Sequence, residues 1–326
     1  MVTKRDFLAL EDWSTEDVER LLTLAARAKS GELTGGLEKR VLGLMLLEAG
    51  AGRAAFEIAM HLHGGAAILV EPAGSKVEDD SHLIDTARLH ARYCDALAVQ
   101  ARTHTGDWPV ARRDLLLKDI AQRCERPVIN AGSIRRHPCH ALADGMTLRE
   151  RLGHVEGKRF VLTWTWTPAP YTTAIPVSAA LAAAALGMEI VIARPDGYEL
   201  DPEDTALIRK TAQQSAGKFV HISDDPDDAL VGADAVYVSS WGSLKLFDKI
   251  DQEREMRSTL NDWRLTRPRL RSSRGGKAVV LHSFPDLGHN GMDDAVLDSP
   301  NSAVMDQAEN RLHVKRAVLL ELLARR

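Results

Sequence analysis

Val41-Leu-Gly-Leu-Met-Leu-Leu47, followed by Glu48-Ala-Gly-Ala-Gly-Arg53, is the stretch that decides the fold. A short apolar run ended by glycines, with an amphipathic stretch over about Arg53–His63 behind it, predicts a buried strand turning into a helix. The unit repeats outward. Apolar runs at Ala66–Val70, Ala96–Val99 and Pro127–Asn130 alternate with helical patterns at Ser81–Tyr93 and Trp108–Cys124. Upstream, Ser14 is a good N-cap, with Asp17 three residues on and Val18, Leu21, Leu22 and Ala25 at helical spacing. Strands with no polar alternation, separated by helices, predict a parallel sheet covered on both faces.

The pattern restarts after a helix over His137–Leu152 and a polar break at His154–Lys158. Strands are predicted at Arg159–Thr165, Met188–Ala193, Phe219–Ile222, Ala235–Ser239 and Ala278–Ser283, with an Ala-rich helix over Thr172–Leu186. The Arg-rich stretch Asp251–Gly276 reads as a surface helix and mobile loop. A helix from about Asn301 to Leu323 closes the chain. The fold class is therefore α/β, with two doubly wound parallel-sheet domains over 1–150 and 151–302, the last helix, 303–326, packing back on the first. A length of 326 residues agrees, since one core rarely holds so many.

Composition narrows the function. With 42 basic and 46 acidic residues the net charge is -4, which argues against a partner held through nucleic-acid phosphates. Hydrophobic residues at 44% and charged residues at 27% describe a globular chain. No apolar run approaches the roughly 20 residues that span a bilayer, and no signal-peptide core follows Met1, so no membrane partner and a cytoplasmic location are expected. Cys94, Cys124 and Cys139 are too few and scattered for a disulfide framework.

In open parallel sheets ligands sit beyond the carboxyl ends of the strands. After the first strand, Gly50, Gly52 and Arg53 form either an anion site at a helix start or a plain tight turn. After the third come Arg102 and His104, after the fourth Arg135 and Arg136, and then His137-Pro-Cys-His140, with proline in a favourable first-turn position. His137, Cys139 and His140 lie too close in sequence for a tetrahedral metal set, so no metal and no cofactor are expected.

Several strings occur together: His137-Pro-Cys-His-Ala-Leu-Ala-Asp144, Leu162-Thr-Trp-Thr165, Pro168-Ala-Pro170, Ser240-Trp-Gly242, Asp298-Ser-Pro-Asn301 and Glu309-Asn-Arg-Leu-His-Val314. In this order, along nearly the whole chain, they resemble the aspartate/ornithine carbamoyltransferase family, and its acetylornithine branch in particular. The resemblance implies two α/β domains with the active site in their cleft and a trimer with sites at subunit boundaries. It also implies a knotted second domain formed around the Pro168–Pro170 loop. It assigns His137, His140 and Arg311 to catalysis, with His137 polarising the carbamoyl carbonyl. Gly50, Gly52, Arg53 and Arg102 fall on the donor side, and Trp166, Trp241, Ser283 and Phe284 on the acceptor side. The partners it implies are a carbamoyl-phosphate-like donor and an amino-acid-like acceptor.

The chain departs from the family in both half-sites. Where the family carries Ser-x-Arg-Thr-Arg-Thr, this chain has Ala49-Gly-Ala-Gly-Arg-Ala54, so only Arg53 of two arginines remains. Charge-assisted contacts to phosphate are each worth on the order of 1.5–3 kcal/mol, so the loss is large. Family arginines also fall at Gln100 and Leu287. The glutamine after His-Pro-Cys is His140, the cysteine of His-Cys-Leu-Pro is Ser283, an acceptor lysine is Ser239 and a branch-specific glutamate is Ser133. The loop lent to a neighbouring subunit is shortened around Pro72–Ser81.

These departures leave three functions open. One is a transferase moving a carbamoyl or related acyl group with altered donor and acceptor specificity. The second is a non-catalytic binding or regulatory descendant. The third is a lyase or ligase-like enzyme using His140 and His289 as acid–base groups. An enzyme predicts that Arg53, His137, His140 and Arg311 converge, with further side chains making up for the lost phosphate ligands.

Overall fold

The computed structural model describes residues 4–46, 51–71, 79–101, 106–168, 171–215, 219–283 and 291–324. The chain forms two compact units. The first comprises residues 1–105, 109–143 and 309–326, the second residues 106–108 and 144–308. The division therefore falls inside three helices, Trp108–Ala111, Pro138–Leu152 and Val304–Leu323.

In the first unit β1 (Val41–Met45), β2 (Ala66–Leu69), β3 (Ala96–Val99) and β4 (Val128–Asn130) form a parallel sheet in the order β2-β1-β3-β4. β3 and β4 are fully buried, whereas the edge strand β2 alternates between exposed and partly buried residues. This is the burial expected of a sheet packed on both faces with one bare edge. Gly43 is required by packing, because a Cβ there would lie 2.6 Å from Leu97 Cδ2. The Ser14 cap forms as read, its hydroxyl accepting the Asp17 N–H at 3.2 Å. The single helix expected over Trp108–Cys124 is instead two, Trp108–Ala111 and Leu115–Arg123. Asp114, at φ 53°, takes the left-handed conformation that ends one and starts the other.

In the second unit β5 (Arg159–Trp164), β6 (Glu189–Ala193), β7 (Val220–Ser223), β8 (Ala235–Ser239) and β9 (Val279–His282) are all parallel, in the order β7-β6-β5-β8-β9. The chain leaves β5 to one side for β6 and β7 and returns to the other for β8 and β9, so the topological switch point lies between β5 and β8. The Ala-rich helix Ala174–Ala185 is almost wholly buried against this sheet; small side chains let it approach closely.

Asp251–Gly276 holds the surface helix expected of it, but two of that helix's side chains turn inward. It contains helix Ile250–Ser258, whose Glu253 and Arg257 are buried, and a turn of helix at Arg267–Leu270. Of the Pro168–Pro170 loop that carries the knot expectation, Ala169 and Pro170 lie outside the described residues. No described helix is long and apolar enough to cross a membrane.

Candidate functional site

The first unit gathers its chemistry at the start of helix Pro138–Leu152. The His137 carbonyl accepts the backbone N–H groups of His140 and Ala141, so His137 is the residue from which the helix springs. Three residues apart, His137 and His140 project from the same face. Their rings stack with centroids 3.6 Å apart and planes 7° from parallel. Behind them lies Gly132, at φ 135°, where a Cβ would lie 3.0 Å from His137 Nε2. Both the backbone conformation and the approach of the ring demand glycine there. The loop is anchored from below. The Asn130 side chain donates to the carbonyls of Leu8 (2.8 Å) and Arg136 (3.1 Å), while Arg136 turns inward to pair with Glu11.

Helix Val304–Leu323 supplies two cations. Arg311 and Lys315, one turn apart on one face, are both buried and both act on the two imidazoles. Burial first, then Lys315 and Arg311, pulls His137 down to about 3. Burial, then Arg311, holds His140 well below the ordinary imidazole range. Both rings are thus neutral at physiological pH and act as hydrogen-bonding groups rather than charges. His140 Nδ1 has no hydrogen-bond partner among the described residues. Lys315 is 2% exposed. Its ammonium donates to the Gly52 carbonyl at 2.9 Å and sits 4.5 Å from the centre of the Phe56 ring. No carboxylate pairs with it among the described residues, and burial lowers it to about 8. Cys139, beside it, is pushed up to about 11 by burial and is inert as a nucleophile.

His137, His140 and Arg311 are therefore brought together, and Lys315 joins them. Sequence reading passed over Lys315, although its spacing of four from Arg311 was the available signal. Arg53 pairs through its Nε with Glu57 Oε1 at 2.7 Å, one turn along its own helix. Gly52 is exposed, and a Cβ there would meet nothing within 4 Å. Gly50, Arg102, Phe284 and His289 lie outside the described residues. Neutral, buried His140 is unsuited to the acid–base role of the third functional reading. Among the described residues no three His, Cys, Asp or Glu side chains are placed to hold a metal.

In the second unit the motif segments meet at Gln307. It accepts the His282 N–H at 2.9 Å and donates to Asp144 at 2.6 Å, all three being buried. Ser283 is buried at the end of β9. Trp166, just beyond β5, is partly buried and its indole N–H has no partner among the described residues. Trp241 is 0% exposed and its indole donates to the Tyr198 carbonyl at 2.9 Å. A cavity of about 580 Å³ bordered by Asp227, Arg264 and Arg269 touches none of the motif residues.

Residues 5–150 match the carbamoyl-P binding domain of aspartate/ornithine carbamoyltransferase, and residues 172–322 match its Asp/Orn binding domain. An N-acetylornithine carbamoyltransferase of Xanthomonas campestris pv. campestris is 33% identical, covering 98% of this chain and 98% of the relative. An ornithine carbamoyltransferase of Gloeobacter violaceus is 32% identical over 98% and 96%. A crystal structure of acetylornithine transcarbamylase complexed with acetylcitrulline superposes with a TM-score of 0.90 at 32% identity, covering 98% of this chain and 100% of that one. Two parallel-sheet units and full-length similarity agree: the chain belongs to the aspartate/ornithine carbamoyltransferase family.

Proposed function

We propose that the protein transfers a carbamoyl or related acyl group to an amine of an amino-acid-like acceptor, with donor and acceptor specificity altered from its relatives. The observation that carries this reading is the stacked, neutral His137–His140 pair beside Arg311 and Lys315. A neutral imidazole N–H from His137 donates to the donor's carbonyl oxygen. As the amine attacks, negative charge grows on that oxygen, and the two cations stabilise it in surroundings poor in water. The tetrahedral intermediate collapses by breaking the bond between the carbonyl carbon and the leaving-group oxygen, and the proton lost by the attacking amine leaves on that group. Catalysis of this type is positioning and electrostatics, and it needs no covalent enzyme intermediate. The open space at Gly52 suits a donor bulkier than carbamoyl phosphate.

On the same reading residues 1–150 bind the donor and residues 151–302 the acceptor, the assembly is a trimer, and the Pro168–Pro170 loop is threaded. Relatives supply the first substrates to try. A structure of an N-acetyl-L-ornithine transcarbamylase mutant, 32% identical, is complexed with carbamyl phosphate and N-succinyl-L-norvaline. Calorimetry with carbamoyl phosphate, followed by a panel of acetylornithine, ornithine and other amino-acid amines assayed for ureido product, tests the proposal. Micromolar donor binding with a citrulline-type product is the conservative outcome; turnover only with another acyl donor is the altered-specificity outcome. Absence of both binding and product at millimolar donor discards the enzyme and leaves a non-catalytic descendant.

A further inference from the structure

The loops leaving β5 and β8 flank the switch point, where an open parallel sheet takes its ligand. In this unit they are joined by a residue from outside both. Arg257 is 1% exposed. Its Nη1 donates to Ser240 Oγ at 2.8 Å and to the Thr167 carbonyl at 3.5 Å, and its Nη2 to the Trp241 carbonyl at 2.9 Å and to Glu253 Oε1 at 3.0 Å. Thr167 follows β5; Ser240 and Trp241 follow β8. The guanidinium carbon lies 5.0 Å from the Trp164 ring centre and 5.3 Å from that of Tyr198. Glu253 Oε1 also accepts the Ser243 N–H at 3.1 Å. The two loops touch each other along the same line: Thr167 and Ser240 hydroxyls are 2.7 Å apart, Tyr171 N–H donates to the Ser240 carbonyl at 2.9 Å, and Gly242 N–H to the Tyr171 carbonyl at 3.0 Å.

We propose that Arg257, held by Glu253, is a positioning residue that fixes the spacing of the two loops at the β5–β8 switch point, and thereby the binding of the acceptor. A planar guanidinium presents several donors in a fixed fork, and no single ammonium can reach all these oxygens. Arg257 touches no substrate, because it is covered on all sides. Its influence passes through the Thr167 and Trp241 carbonyls and the Ser240 hydroxyl. The assignment of the bound molecule as an acceptor amine rests on the function proposed above; the clamp itself does not.

The test uses the full-length protein and the conservative variant Arg257→Lys, with Glu253→Gln as a second. Two readouts are taken. The first is hydrogen exchange at the Tyr171 and Gly242 amides, compared with Ile190 and Ile192 in β6. Loss of the clamp speeds the first pair by about tenfold, the equivalent of one hydrogen bond, and leaves the second pair unchanged. The second is steady-state kinetics. The acceptor KM rises by about tenfold, while kcat and the donor KM stay within about twofold. A folded Arg257→Lys protein with parental exchange and parental acceptor KM overturns the proposal. Should Arg257→Lys fail to fold, Glu253→Gln decides by the same readouts, and parental values there overturn it equally. Should the parent protein form no product with any amine, the functional reading falls, and the clamp stands or falls on exchange alone.

Discussion

Two buried cations, Lys315 in the first unit and Arg257 in the second, are treated in opposite ways. Arg257 meets a carboxylate, two carbonyls and a hydroxyl, and it lies beside two aromatic rings that contact each other. Lys315 meets one carbonyl and one ring, and no carboxylate pairs with it among the described residues. Burying a charge is costly unless it is paired, so the first arrangement is what a stable core tolerates and the second is what it avoids. An imperfectly compensated cation beside two neutral imidazoles has a use, because it offers its field to whatever negative charge develops there. On the function and the clamp proposed above, the difference separates a residue that holds loops from one that serves chemistry.

Truncation separates them most sharply. Arg257→Met leaves Glu253 buried without its partner and is expected to cost about 3–5 kcal/mol in denaturant unfolding. A neutral result would mean that the pair is dispensable and would erase the contrast. His137→Leu comes next: loss of the donor to a developing oxyanion lowers kcat/KM by about 10²–10³-fold with little change in unfolding. An unchanged rate would remove His137 from the chemistry.

Lys315→Met moves stability the other way. With its pKa at about 8 against 10.5 for an ordinary lysine, the folded protein bears a penalty on the order of 3 kcal/mol at pH 7. The variant recovers part of it, less the lost hydrogen bond to Gly52, while donor turnover falls. The sign with pH follows. Between pH 8 and 10.5 the unfolded chain holds the proton and the folded chain does not, so parental stability rises with pH across that window. It loses this gain as pH falls to 8, and the Lys315→Met protein shows no such slope. A parental protein with no rise there would show Lys315 to be better compensated than the comparison holds. The smallest effect is expected for His140→Gln. Losing a stacked ring worth about 0.5–1.5 kcal/mol reduces kcat/KM by roughly two- to tenfold, and His140→Phe, which keeps a ring, is milder. Equal effects from the two variants would assign His140 to hydrogen bonding instead.

Much of this was written along the chain. The strands Ala96–Val99 and Ala235–Ser239 form where the apolar runs lie, and the other strands end within a few residues of their runs. Apolar run length and glycine punctuation are local signals, and a parallel sheet buried on both faces preserves them. His137 and His140, at a spacing of three, and Arg311 were legible for a similar reason: a helix fixes which residues share a face. Tertiary structure decided the rest. Asp251–Gly276 reads as solvated because it is rich in arginine, yet Glu253 and Arg257 satisfy each other four residues apart and take their remaining partners from loops 90 and 17 residues away. Trp241 reads as an acceptor-side residue because it sits in a motif, and no local pattern shows that its indole N–H bonds Tyr198, 43 residues upstream. The sequence alone determined that the chain folds as two parallel α/β units and carries the family's histidine. Only the tertiary structure decided which charged side chains are spent on holding it together and which are left to act, because burial and hydrogen-bond partners are properties of residues distant along the chain.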